Sequence, residues 1–124
     1  MTKGNLYLIP TPLGDTGFAS GIPPLNLEVL QHIDTFIVEE LRTARRFLRK
    51  AGYMKDFETV TFHVLNEHTP DHEAMEMLEK AVSGQHIGLL SEAGLPCIAD
   101  PGNIAVRIAH RKGIRVIPLT GPSS

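Results

Sequence analysis

Short apolar runs and longer amphipathic stretches alternate along the chain. Five runs rich in β-branched and large apolar residues, at 5–9, 35–38, 59–64, 87–90 and 115–119, are bounded by turn-forming residues and predict strands. Their apolar character is nearly continuous rather than strictly alternating, which predicts a sheet covered on both faces. Between the runs, apolar residues recur at helical spacing. Residues 26–33 carry Leu27, Leu30 and Ile33 on one face, and 40–51 carries Leu41, Ala44, Phe47, Leu48 and Ala51 before Gly52. The stretch 70–83, with Thr69 as its expected cap and Pro70 in its first turn, places Ala74, Met77, Leu78, Ala81 and Val82 inward and stops at Gly84. The stretch 102–112 follows Asp100-Pro101, buries Ile104, Ala105, Ile108 and Ala109, and stops at Gly113. Strand followed by helix, repeated, predicts an α/β fold: a five-stranded, mostly parallel sheet with helices on both faces.

Length and composition narrow the class. The chain has 124 residues, 42% of them hydrophobic and 21% charged, enough for one globular domain with its own core. Its 12 Lys+Arg against 14 Asp+Glu give a net charge of −2, which excludes a uniformly basic nucleic-acid-binding surface and leaves room for a local basic patch. No apolar run is long enough for a membrane span. The apolar stretch 6–9 ends at Pro10, too short for a secretory signal, and the single cysteine, Cys97, precludes an internal disulfide. Both features predict a cytoplasmic protein. Residues 119–124 (LTGPSS) follow the last run and resemble the start of a helix, so the chain reads as a domain cut from a longer protein.

In an open parallel sheet, ligands bind beyond the carboxyl ends of the strands. Those ends carry Pro10 to Asp15, Glu39-Glu40, Asn66-Glu67-His68, Ser91 to Pro96 and Thr120 to Ser124, a concentration of Gly, Pro, Ser and carboxylate on one edge. The glycines at 14, 17 and 21 lack the spacing of a dinucleotide fingerprint, and there is no P-loop lysine motif. Arg42, Arg45, Arg46 and Arg49, at i, i+3, i+4 and i+7, predict a basic ridge opposite the apolar stripe of the second helix; it is either a solvated face or a contact for RNA phosphates. His68 and His72 lie near Glu67, Asp71 and Glu73, but Pro70 between them argues for a surface helix start rather than a metal site, and no metal is expected. His63 is expected in or beside the core. Cys97 reads as a small apolar filler and Asp100 as a helix cap.

The segments 6–15 (LYLIPTPLGD), 34–46 (DTFIVEELRTARR), 66–68, 91–102 (SEAGLPCIADPG) and 116–124 (VIPLTGPSS) together resemble the N-terminal domain of the ribosomal RNA small subunit methyltransferase I family, within the tetrapyrrole methylase superfamily. The resemblance spans essentially the whole chain, and 91–102 is its most specific part. Glu40, Leu41, Glu92, Leu95 and Thr120 depart from the family pattern.

That resemblance implies S-adenosylmethionine as cofactor, held in a cleft between this domain and a C-terminal one. By position, Pro12, Leu13, Ala93, Gly94, Leu95, Ile98, Ser123 and Ser124 would contact it. It also implies an acidic residue at the end of the second strand, Glu39, as the base that takes the proton from a ribose 2′-hydroxyl; the competing reading is that Glu39 or Glu40 caps the following helix. The implied partner is ribosomal RNA or the small ribosomal subunit, with a homodimer as the common assembly. Two rival functions stand beside this one: a porphyrinoid C-methyltransferase, disfavoured by the arginine ridge and the prolines of the first loop, and a non-catalytic RNA-binding module of the same fold.

Overall fold

The computed structural model describes residues 3–11, 24–66, 68–92 and 102–119. Among these, each apolar run forms a strand and each amphipathic stretch a helix. Chain order is β1 (Asn5–Thr11), α1 (Pro24–Leu30), β2 (Thr35–Val38), α2 (Leu41–Ala51), β3 (Thr61–Val64), α3 (Asp71–Val82), β4 (Ile87–Glu92), α4 (Gly102–Lys112) and β5 (Arg115–Pro118). The strands form one sheet in the order β3-β2-β4-β1-β5, and every pairing is parallel.

Side chains alternate across this sheet and so define two cores. Leu6, Ile37, Ile87 and Leu89 point to one face, where Ala74, Met77, Leu78 and Ala81 of α3 and Ala105, Ile108 and Ala109 of α4 cover them. Ile9, Phe36, Val38 and Leu90 point to the other, under Leu30 of α1 and Ala44, Phe47 and Leu48 of α2. Gly88 is small for a packing reason. A Cβ there would lie 2.8 Å from Phe36 Cδ1 and 2.9 Å from Ile9 Cδ1, so the glycine makes room for the Phe36 ring.

Helix ends follow local chemistry, with some shifts from expectation. Gly52, Gly84 and Gly113 adopt φ of 101°, 108° and 75° after α2, α3 and α4, the left-handed conformation that closes a helix at little cost for glycine. The first helix spans 24–30 rather than 26–33, because residues 32 and 33 turn more tightly, with His32 N–H donating to Val29 O and Ile33 N–H to Leu30 O. The third strand is shorter than the run 59–64. Asp56 caps a single 3-10 turn, Phe57–Thr59, by accepting from Glu58 N–H, so the ladder begins only at Thr61. Thr69 does not cap α3. Its hydroxyl accepts from Asn66 N–H, and the helix begins after Pro70 at Asp71. Val82 is exposed rather than buried, being one position beyond the Ala74–Met77–Leu78–Ala81 stripe at the helix end.

Candidate active site

The strand order contains a reversal. After β1 the chain passes to α1 on one face, and after β4 it passes to α4 on the other, while β1 and β4 are neighbours. Where adjacent strands send their connections to opposite faces, the loops part and a crevice opens at the carboxyl ends. At those ends Thr11 pairs with Glu92 on β1 and β4, and Leu119 N–H donates to Leu8 O where β5 ends beside β1. Close to these ends in sequence, Ile9, Leu90 and Leu119 are buried in the core cluster shared with α1 and α2. A buried apolar layer suits the flat face of a nucleobase or a thioether and would oppose a bare charge.

The eight residues expected to contact a cofactor, Pro12, Leu13, Ala93, Gly94, Leu95, Ile98, Ser123 and Ser124, lie outside the described residues, as do Cys97 and Asp100. In sequence they belong to the segments that immediately follow β1, β4 and β5. Those three strands are neighbours in the sheet.

Glu39 and Glu40 follow β2, on the far side of β4 from β1. Their roles separate. Glu40 is the cap of α2: its backbone is extended, and its carboxylate accepts from Thr43 N–H at 3.0 Å and from the Thr43 hydroxyl. These bonds, with a smaller contribution from Arg42, hold the Glu40 carboxyl below the usual carboxylate range. Glu39, one residue earlier, is exposed at the end of β2, two residues past the Ile37–Leu89 pair. The capping role therefore belongs to Glu40, and it leaves the position nearer the strand end to Glu39.

Arg42, Arg45, Arg46 and Arg49 are all exposed along α2, opposite buried Ala44, Phe47 and Leu48. Two of them lie on an aromatic group that the sequence reading missed. The Arg49 guanidinium carbon is 3.9 Å from the centre of the Phe57 ring, and that of Arg45 is 5.7 Å from Phe62 and 6.0 Å from Phe57. The contact is eight residues away in sequence for Arg49 and twelve for Arg45 from Phe57, so no local spacing signals it.

Asn66 Oδ1 accepts from His68 N–H in the loop after β3, and His68 and His72 are both exposed. Among the described residues, no group of three His, Cys, Asp or Glu side chains converges. His63 is half-buried in β3; its Nε2 has no hydrogen-bond partner, and burial, reinforced by Lys80, lowers its pKa below that of an ordinary histidine. Among the described residues no helix is long and apolar enough to cross a membrane.

No family model matches the chain. Individual relatives do. Ribosomal RNA small subunit methyltransferase I of Escherichia coli O157:H7 is 37% identical over 121 residues, covering 98% of this chain and 40% of that protein. The proteins of the same name from Xylella fastidiosa and Vibrio cholerae are 34% and 36% identical, covering 99% and 94% of this chain and 42% and 38% of their own lengths. The chain thus spans about two fifths of the length of these relatives. Among solved structures, a uroporphyrin-III-C-methyltransferase from Thermus thermophilus matches with a TM-score of 0.61 over 95% of this chain and 47% of that one; at 18% identity the likeness is one of fold. Over nearly its whole length the chain is thus similar in sequence to part of ribosomal RNA small subunit methyltransferase I, and it shares its fold with a uroporphyrin-III-C-methyltransferase.

Proposed function

We propose that this chain is the cofactor-binding part of an S-adenosylmethionine-dependent methyltransferase that modifies a ribose 2′-hydroxyl of small-subunit ribosomal RNA. The observation that carries the reading is the crevice where β1 and β4 send their chains to opposite faces, with β5 ending beside it. The segments following those strands hold Pro12, Leu13, Ala93, Gly94, Leu95, Ile98, Ser123 and Ser124, the residues proposed to hold the cofactor. The apolar Ile9, Leu90 and Leu119 near those ends suit its adenine. Bound there, S-adenosylmethionine supplies a methyl group on a positively charged sulfur, a leaving group that departs as a neutral thioether.

The chain's own task is alignment and proton removal. An acceptor oxygen held in line at about 3 Å from the methyl carbon gains several kcal/mol from orientation alone. As the oxygen–carbon bond forms, the hydroxyl proton must leave, and Glu39 at the end of β2 is the proposed acceptor. Glu40 is engaged with Thr43 and serves the helix instead. Arg42, Arg45, Arg46 and Arg49 supply the cationic face for RNA phosphates. In this reading a C-terminal domain completes the cleft, and the protein works in the cytoplasm, as a homodimer.

The names of the relatives favour an RNA acceptor, whereas the fold likeness is to an enzyme named for a porphyrin. Radiolabelled methyl transfer by the intact protein, offered small ribosomal subunits or a porphyrinoid, decides between them. Label is expected in the RNA and at a ribose oxygen; label in the porphyrinoid alone would overturn the acceptor assignment. No transfer to either, with cofactor bound, would favour a non-catalytic RNA-binding module.

A further inference from the structure

The arginine face of α2 contains a fixed surface as well as charge. Arg49 is held twice: its guanidinium lies over Phe57, and Nη1 donates to Tyr53 O at 2.7 Å. The Arg45 guanidinium lies over both Phe62 and Phe57 at longer range. The two rings brace each other edge to face at 5.6 Å; Phe57 stacks on buried Tyr53 and Phe62 on buried Phe36. Both arginines nevertheless remain exposed. A phosphate contact requires only a positive charge at the end of a flexible stem, which lysine also provides. A guanidinium held over a ring and still exposed offers a weakly hydrated cationic plane. Unpaired nucleobases stack on such planes.

We propose that Arg49 and Arg45, on their Phe57–Phe62 support, form a stacking platform for an unpaired base of single-stranded RNA. The inference rests on the RNA reading above and adds to it a mode of binding that charge alone does not provide. Its position gives it a distinct task. α2 starts at the carboxyl edge, beside Glu39, and Arg49 lies seven residues beyond Arg42, about 10 Å farther along the helix. The platform therefore grips the RNA away from the reacting nucleotide, where binding energy from a remote part of the substrate helps to hold the reacting part in place.

The test is a fluorescence-anisotropy titration of the intact protein with a single-stranded RNA of about 12 nucleotides, repeated over a range of salt. Arg49→Lys keeps the charge and removes the plane. It is expected to weaken binding about 5- to 100-fold while leaving the slope of log affinity against log salt unchanged. Phe57→Leu, which removes the support, and Arg45→Lys, at longer range from the rings, are expected to act in the same sense. Arg42→Gln is expected instead to reduce that slope by about 0.7, the value for one lost phosphate contact on a single strand. A 2-aminopurine placed in the RNA is expected to lose emission on binding to the parent protein and to keep it with Arg49→Lys. Binding of Arg49→Lys at parental affinity, with unaltered quenching, would overturn the platform while leaving the RNA reading intact. Failure of the parent protein to bind RNA at all would overturn both.

Discussion

Two adjacent glutamates show how far a single residue's environment decides its use. Glu40 accepts from the Thr43 amide and hydroxyl and so stays ionised to lower pH than a free carboxylate. Its contribution to stability is present above pH 4.5 and is lost as the pH falls through its lowered pKa. Glu40→Gln is expected to lower the melting temperature by a few degrees and leave methyl transfer near the parental rate. Glu39→Gln is expected to do the reverse, with kcat falling by about 10²- to 10⁴-fold and S-adenosylhomocysteine affinity retained; unchanged kcat would remove Glu39 from the mechanism. The sequence offered Glu39 as the base and either residue as the cap. Only the cap geometry tells them apart, because it depends on which residue precedes the first helical turn. Gly88 is a second such residue: its neighbours Phe36 and Ile9 come from other strands, so the need for glycine is invisible locally. Gly88→Ala is expected to cost about 1–3 kcal/mol in chemical denaturation.

Element identity was legible because each run or stripe carries its own period. The five apolar runs and the four stripes became β1–β5 and α1–α4, and the glycines after α2, α3 and α4 marked their ends. Boundaries shifted where side chains competed for backbone groups, as at Asp56, which draws Phe57–Thr59 into a 3-10 turn, and at Thr69, which serves the Asn66 turn instead of α3. The contacts that tie elements together were not legible. Tyr53, fully buried after α2, donates its hydroxyl to Ile33 O, next to the end of α1. Tyr53→Phe leaves that carbonyl without its partner and is expected to cost about 1–3 kcal/mol. Burial, and then Asp34, push the Tyr53 phenol up to about 12 from its ordinary value of 10. A raised pKa means that the stabilisation is complete below pH 10 and is lost as the pH rises through about 12. Equilibrium unfolding across pH 9–12 is expected to show a steep alkaline loss in the parent and a shallower one in Tyr53→Phe. His63 has the opposite sign: its lowered pKa predicts stability lost as the pH falls below 6.5, a loss that His63→Leu removes.

At the scale of the whole molecule, the sequence predicted an edge loaded with turn residues, and the strand order brings the carboxyl ends of β4, β1 and β5 side by side on it. β1 and β4 are about eighty residues apart in the chain and adjacent in the sheet, a pairing that no local pattern encodes. Their neighbourhood is what the proposed cofactor site depends on. The arginine ridge was legible as charge, but its aromatic support was not, since the rings approach from beyond the end of α2. Amide chemical-shift mapping with S-adenosylhomocysteine tests most directly where the cofactor binds. Titrated into the isotope-labelled intact protein, the compound is expected to shift the amides of Thr11, Glu92 and Leu119 at the carboxyl edge. Those of Asn5, Ile87 and Arg115 at the opposite edge are expected to stay in place. Saturable shifts confined to the opposite edge, or to α2 alone, would contradict the account.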